Sequence, residues 1–198
     1  AGTSGADGVT RRERGVLPAH AAALLCSAIP PSGIVHLSKS RFTAGLQCHK
    51  QLWWKVHEPD ASELLASSEL QAVFDQGHRV GERACEEFPG GVLVDAPYGE
   101  FTARVEQTRA ALDTRAPAIF EASFFEDNVF VAVDVLERTP QGWTIVEVKS
   151  STKVKPQYLP DAAVQAHVVR RAGLHVERVE IMHLNRECRY PDLRNLFS

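Results

Sequence analysis

The sequence predicts a mixed α/β fold, in which helices flank a central mixed sheet that contains an antiparallel meander. Three observations support this class. Helical patterns occupy the first part of the chain, three strand-like runs joined by short turns follow, and a further helix and strand come last. This order of elements is typical of a mixed α/β sandwich.

The helices are predicted from apolar periodicity and from their boundary residues. Ser38 or Ser40 caps the first helix, which carries apolar side chains from Phe42 to Trp53. Further helices are predicted over residues 61–88, 101–112 and 160–172, the first of them ended by Pro89-Gly90-Gly91 and the last by Gly173.

The strands are predicted from β-branched and aromatic runs between turn residues. Three of them cover residues 118–125, 129–137 and 143–148, and a last strand covers residues 176–184. Asp127-Asn128 and Pro140-Gln141 supply the two turns of the meander.

The first 34 residues differ in composition from the rest of the chain. They are rich in Ala, Gly, Ser and Pro and contain no Phe, Trp or Tyr, so they cannot bury enough apolar surface to offset their ordering entropy. We predict a disordered leader over residues 1–34, or sequence upstream of the true start. One folded domain then covers residues 35–198.

Composition and charge exclude several classes of protein. Of 198 residues, 44% are hydrophobic and 24% are charged, which excludes a wholly disordered chain. No run of about 18 apolar residues occurs, which excludes a transmembrane helix. The formal net charge of −3 excludes nucleic-acid binding through bulk positive charge, so any such contact needs a local basic patch.

The cysteines favour a reduced, cytoplasmic protein, and the lack of a long apolar run predicts no membrane partner. Cys26, Cys48, Cys85 and Cys188 form no CxxC pair. The sequence therefore contains neither a complete zinc knuckle nor a disulfide framework.

Two acidic residues are predicted to meet across the second hairpin. Asp134 lies in the middle of an apolar strand, where an unpaired buried carboxylate costs several kcal/mol. If Pro140-Gln141 forms a two-residue loop, Asp134 lies directly opposite Glu147, and Lys149 projects on the same face. Such opposed acids need a shared cation or proton, and oxygen ligands of this kind suit Mg²⁺. The plainer alternative is a Glu147–Lys149 strand-edge pair, with Asp134 bonded to backbone amides.

Three further residues are weaker candidates. His78 and Glu82 share one helical face, although His78 can equally be a half-buried histidine satisfied by Glu82. Glu121 faces Asp134 only if Asp127-Asn128 is a two-residue loop. Gln165, on the next helix, either leans over the strand ends or is simply solvated.

Together these residues resemble a known family. Gly77-His78, Asp134, Glu147-Val148-Lys149 and Gln165 are similar to the motifs of the PD-(D/E)XK nuclease superfamily, and in particular to RecB-like exonucleases of CRISPR adaptation and helicase–nuclease repair. The resemblance implies a restriction-endonuclease-like core that uses Mg²⁺ or Mn²⁺ to hydrolyse DNA, either single strands or duplex ends. It also implies a helicase or CRISPR adaptation proteins as partners.

The resemblance assigns a role to each matching position. His78, Asp134, Glu147 and the carbonyl of Val148 correspond to the metal ligands. The catalytic residues correspond to Asp134, Glu147, Lys149 and Gln165. The sequence departs from the family at Val169, where the QxxxY motif has its tyrosine.

Cys48 resembles the first cysteine of relatives that hold an iron–sulfur cluster. Those relatives have three more cysteines beyond the core, whereas here only Cys188 follows it. We predict no cluster for this chain. Either it is a fragment truncated at its C-terminal end, so that Cys48 is an iron–sulfur ligand only in a longer form, or Cys48 is a buried helix cysteine.

The predicted function is metal-dependent DNA hydrolysis. Lys50, Lys153 and Lys155, together with Arg41 and Lys55, are predicted to hold the nucleic acid. Trp53 and Trp54 either stack on a base or anchor the core. The alternatives are a nuclease-fold nucleic-acid-binding or scaffold module with weak or no catalysis, and a hydrolase of small phosphate esters.

Overall fold

The computed structural model describes residues 36–198, so the leader predicted for residues 1–34 lies outside the described residues. Among the helices that it describes, none is both long and apolar enough to span a bilayer. The elements in chain order are β1 Leu37–Ser38, α1 Lys39–Gln47, α2 His49–His57, a short 3-10 helix Ser62–Leu64, α3 Ser68–Cys85, β2 Val92–Leu93, α4 Phe101–Leu112, β3 Ala118–Glu126, β4 Val129–Arg138, β5 Trp143–Lys149, α5 Tyr158–Arg171 and β6 Val176–His183.

The strands form one six-stranded mixed sheet, which confirms the predicted fold class. The strand order is β2-β3-β4-β5-β6, and β1 pairs with β4 beside this path. The predicted meander β3-β4-β5 is antiparallel, while β1, β2 and β6 join the sheet in parallel. The short strands β1 and β2 were not predicted, because two-residue pairings have no periodic signal.

Both meander turns form as predicted. Asp127 and Asn128 have φ angles of 50° and 61°, as the two central residues of a type I′ hairpin turn require. At the second turn, the N–H of Thr139 donates to the carbonyl of Gly142 at 2.9 Å. This loop sets the register in which Val135 pairs with Val146, and one further residue along the ladder Asp134 lies across from Glu147.

The β3–β4 pair is irregular near Asp134. Val133 and Leu136 are three residues apart and yet belong to the same core cluster, whereas strict alternation places such residues on opposite faces. Opposite Asp134 on β3, Glu121 has a φ angle of 57°, which is uncommon for a residue with a side chain. The backbone is therefore distorted where the acidic residue lies.

Helices cover both faces of the sheet. The main core cluster joins the sheet to α4 and α5 through residues such as Ala111, Ala166 and Val168. On the opposite face, Phe120, Val135 and Val146 pack against side chains that include Cys85 at the end of α3.

The first two predicted helices are corrected by the structure. The single first helix is wrong: Cys48 has extended backbone angles (φ −159°, ψ 114°) and separates α1 from α2. This break lets the two helices approach closely, since a Cβ added to Gly45 would lie 3.0 Å from Leu52 Cδ2. The second helix begins at Ser68 rather than near residue 61, because Ser67 caps it by accepting the N–H of Leu70 at 3.2 Å.

Replacing Gly91 with alanine is expected to lower the free energy of unfolding by about 1–3 kcal/mol, the usual result of overpacking. A Cβ at this position would lie 2.4 Å from Cζ of the buried Phe120 ring. Gly77 in α3 is the matched control, because a Cβ there meets nothing within 4 Å, and Gly77→Ala should stabilise by about 0.5–1 kcal/mol. Urea unfolding measures both effects, and equal effects of the two changes would contradict this packing.

Candidate active site

Six polar side chains from four elements meet on one face of the sheet. We call them the acid–lysine cluster: Lys39 of α1, Asp134 of β4, Glu147 and Lys149 of β5, and Asp161 and Gln165 of α5. The structure thus brings together all four residues predicted to be catalytic, and it adds Lys39 and Asp161.

Lys39 lies between the two opposed acids. Its Nζ is 3.3 Å from both Oε1 and Oε2 of Glu147 and 3.7 Å from Oδ1 of Asp134. The other oxygen of Asp134, Oδ2, accepts the backbone N–H of Val148 at 2.7 Å. The shared cation that the hairpin register predicted is therefore, in this structure, a lysine ammonium group.

Glu147 is the centre of the cluster. Its side chain is 1% exposed, and besides Lys39 it contacts Lys149 Nζ at 2.5 Å and Gln165 Nε2 at 2.6 Å. Lys149 Nζ also contacts Asp161 Oδ2 at 2.7 Å. These short contacts show that Gln165, which is fully buried, is not a solvated glutamine.

Local structure explains how each side chain reaches the cluster. Glu147 and Lys149 are two positions apart on a strand, and Asp161 and Gln165 are four positions apart on a helix, so the members of each pair share a face. Lys39 is placed by β1, whose parallel pairing with β4 starts α1 beside that strand. Ser38 caps α1 by accepting the N–H of Arg41 at 3.3 Å, which confirms one of the two predicted caps.

The cluster contains three carboxyl groups and two ammonium groups in a largely buried place. Burial raises the pKa of Asp134 to about 7 against the opposing effect of Lys39. Burial would also raise the pKa of Glu147, but the charges of Lys39 and Lys149 outweigh it and lower that pKa. Burial alone would lower the pKa of Lys39, yet the surrounding carboxylates raise it. The cluster is thus short of positive charge.

Two buried acceptors in the cluster have no hydrogen-bond partner among residues 36–198. They are Oδ1 of Asp161 and Oε1 of Gln165, on side chains of residues that are 7% and 0% exposed. An unsatisfied buried acceptor costs about 1–3 kcal/mol. Both atoms would therefore gain from a donor, a water molecule or a cation.

The donor set fits a hard divalent cation. Carboxylate and amide oxygens are ligands that suit Mg²⁺ and Mn²⁺, and the two unpartnered oxygens add to this set. Within the described part of the chain, however, no three His, Cys, Asp or Glu side chains are already grouped around one point. The oxygens of Asp134 and Glu147 face ammonium groups instead.

His78 is not part of the acid–lysine cluster. It lies exposed on α3, and it forms no hydrogen bond or ion pair with Asp134, Glu147 or Glu82 among the described residues. The half-buried alternative is therefore wrong, and its role as a metal ligand stays a prediction. Val148 contacts Asp134 through its N–H, whereas its carbonyl was the predicted ligand.

Glu121 forms an ion pair with an arginine outside the cluster. The two-residue turn gives the register that faces Glu121 toward Asp134, but its Oε2 is 3.1 Å from Nη2 of Arg104, a buried residue. Arg104 also donates to Ser123 Oγ and to the carbonyl of Ala96. Glu121 is thus a neighbour of the cluster and not a member of it.

The three lysines predicted as the main nucleic-acid contacts are at least partly exposed. Lys50 and Lys153 are exposed and Lys155 is half-buried. Aromatic rings accompany two of the lysines, with Lys50 Nζ 4.5 Å from the Trp54 ring and Lys155 Nζ 6.0 Å from the Tyr158 ring.

The two tryptophans and the cysteines differ in exposure. Trp53 is 48% exposed, whereas Trp54 is half-buried. Cys48 is an exposed free thiol between two helices, so the alternative of a buried helix cysteine is wrong. Cys85 and Cys188 are also free, and Cys26 lies outside the described residues. Val169 is fully buried in the main core, which leaves no polar group at the position of the family's tyrosine.

Sequence reasoning missed Lys39 and Asp161. A signal existed for Asp161, which precedes Gln165 by one helical turn. No local signal marked Lys39, because its contact with Glu147 joins residues 108 positions apart.

Comparisons with known proteins add no independent identification. No protein-family model matches the chain, and neither a curated protein nor a solved structure matches it. What the molecule can do is therefore inferred from the acid–lysine cluster.

Proposed function

We propose that this chain is a divalent-metal-dependent nuclease domain that hydrolyses DNA phosphodiester bonds, as the resemblance to PD-(D/E)XK nucleases implies. One observation carries the proposal: Asp134, Glu147 and Lys149 lie on one hairpin within a single network of hydrogen bonds and ion pairs. A merely structural ion pair needs one carboxylate for each ammonium group, whereas this cluster has an excess carboxylate and two unpartnered oxygens.

Asp134 and Glu147 would hold Mg²⁺ or Mn²⁺, with His78 and the Val148 carbonyl as further ligands by resemblance. Such an ion, when bound, supplies Lewis acidity that lowers the pKa of a water molecule and offsets charge on the phosphodiester. Gln165 would keep Glu147 in place, because its Nε2 donates hydrogen bonds both to Oε2 of Glu147 and to the backbone carbonyl of Asp161.

Lys149 would act as a fixed positive charge. Burial alone would lower the pKa of Lys149, but Glu147 and Asp161 outweigh it and raise that pKa. A protonated lysine held between two acids is suited to offsetting phosphate charge and to orienting the attacking water. It is poorly suited to removing a proton, so the charge-offset role is the favoured one.

Cleavage of labelled single-stranded and duplex DNA, with Mn²⁺ or Mg²⁺ and with a chelator, tests the proposal. Asp134→Ala is expected to lower the metal-dependent rate at least about 100-fold, because it removes a metal ligand. Glu180→Ala, which removes an exposed carboxylate on β6, is the matched control and should leave the rate unchanged. Cleavage that persists in Asp134→Ala would come from a contaminant and would sink the proposal.

A nucleic-acid-binding module without catalysis is the second candidate. It is favoured by the two ammonium groups that face the acid pair and by the apolar Val169. Two results together would support this alternative. The chain would bind DNA in a gel-shift assay and lose that binding when Lys153 and Lys155 are replaced, and it would show no metal-dependent cleavage.

A further inference from the structure

We propose that Lys39 is an internal counter-ion that occupies the cation position between Asp134 and Glu147 and leaves it when a divalent cation binds. The first residue of α1 would thereby control metal loading. This inference rests on the proposed function, since it concerns the same carboxylate pair.

The position of the Lys39 ammonium group carries the inference. Nζ contacts both oxygens of Glu147 and one oxygen of Asp134, at 3.3, 3.3 and 3.7 Å. Mg²⁺ binds carboxylate oxygens at about 2.0–2.1 Å, so it would need these same atoms. Two cations close together in a buried site repel strongly, and Lys39 and a metal ion therefore exclude one another.

The second lysine of the cluster is held more tightly. Lys149 contacts Asp161 at 2.7 Å and Glu147 at 2.5 Å, the first within and the second below the range of about 2.7–2.9 Å for strong charge-assisted hydrogen bonds. All three contacts of Lys39 are longer than this. Lys39 is thus the ammonium group that gives way, while Lys149 stays.

Space for the displaced side chain lies next to Lys39. A cavity of about 200 Å³ is lined by Lys39 itself, by Asp161 and by the hydroxyl residues Ser38, Ser40 and Thr43. Tyr98, Phe130 and Ala132 complete its lining. The lysine side chain is a flexible four-carbon stem that ends in an ammonium group, so the stem can pack on the apolar part of the cavity and the ammonium group can face the hydroxyl residues while α1 stays in place.

Charge balance favours the exchange. Metal ions bind deprotonated carboxylates, and in that form three carboxylates against two ammonium groups give the cluster a formal charge of −1. Replacing the single charge of Lys39 with a divalent ion brings the cluster to neutrality. A buried site gains from losing an uncompensated charge.

Mn²⁺ binding to the full chain without DNA, followed by electron paramagnetic resonance, tests this exchange. Lys39→Met keeps most of the side-chain volume and removes the competing charge, so Mn²⁺ should bind about 10- to 100-fold more tightly, as loss of a charged hydrogen bond allows. Lys39→Arg keeps the charge and should not tighten binding. Arg178→Met removes an exposed positive charge on β6 and controls for long-range electrostatics.

Lysine labelling of the wild-type chain gives a readout that needs no variant. Reductive methylation followed by mass spectrometry should label Lys39 slowly without metal and faster at saturating Mg²⁺, while Lys149 stays protected. This measurement decides the question even if Lys39→Met does not fold.

The failures of the two proposals are distinguishable. In one outcome, Mn²⁺ binds the wild type but not Asp134→Ala, Lys39→Met binds it no more tightly, and Lys39 labelling is not faster with Mg²⁺. That outcome contradicts the exchange and leaves the proposed nuclease function standing. A wild type and variants that all bind no Mn²⁺ would overturn both.

Discussion

Glu147→Ala is expected to lower the free energy of unfolding by about 3–5 kcal/mol at neutral pH, the loss typical of breaking a buried ion pair on one side. The change removes the carboxylate that contacts Lys39, Lys149 and Gln165. Lys39 and Lys149 then both lose the carboxylate that they share, and the buried amide of Gln165 loses its acceptor.

The surface pair on β6 gives the matched control for this prediction. Arg178 and Glu180 are 3.1 Å apart, with side chains 57% and 50% exposed, and Glu180→Ala should cost less than about 1 kcal/mol. Urea unfolding of both variants at pH 7 measures the difference. Similar losses would mean that Glu147 is not the centre of a buried network.

Asp134→Asn is expected to flatten the dependence of stability on pH between about pH 5 and pH 8. Burial raises the pKa of Asp134 from its ordinary value of 3.8 to about 7 in the folded protein. Between these values the folded state keeps a proton that the unfolded chain has already released. Unfolding then releases a proton, so the stability of the wild type falls as the pH rises, until it levels off above about pH 7.

The size of this effect follows from the width of the window. From pH 5 to 7 the wild type should lose about 2–3 kcal/mol relative to the variant, at about 1.4 kcal/mol per pH unit. Glu147 acts oppositely, because its lowered pKa adds stability that is lost only as the pH falls below its ordinary 4.5. The range above pH 5 therefore isolates Asp134, apart from a smaller fall in the same direction from Asp161, whose pKa burial raises.

Urea titrations of both proteins at several pH values measure this difference. Asparagine can still accept the N–H of Val148, which holds the wild-type side chain at 2.7 Å, so the fold should be kept. Parallel stability curves for the two proteins would show that Asp134 is ionised throughout the range.

The hairpins could be predicted because their signals are local. Asp127-Asn128 tolerates the positive φ angles of a tight turn, and Pro140-Gln141 leaves a two-residue loop between two apolar runs. Since side chains alternate along a strand, the loop length alone then gives the partner of Asp134. The same reasoning brought Glu147 and Lys149 to one face.

Contacts between distant parts of the chain were beyond such reasoning. Nothing in the sequence near Lys39 links it to the hairpin, although its ammonium group lies between the two acids in the structure. The break at Cys48 was missed for a related reason. The apolar pattern continues through residue 48, and only the packing of Gly45 on Leu52 explains the turn.

The contact between Lys39 and Glu147 closes a loop of 108 positions, and this span affects the order of assembly. Isolated from α1, the β4–β5 hairpin would set two like charges face to face, an arrangement that weakens strand pairing. Contacts between residues so far apart in sequence form late, because closing the long loop between them loses chain entropy before the contact can stabilise the fold. The β4–β5 hairpin therefore reaches its full stability only after α1 has docked against it.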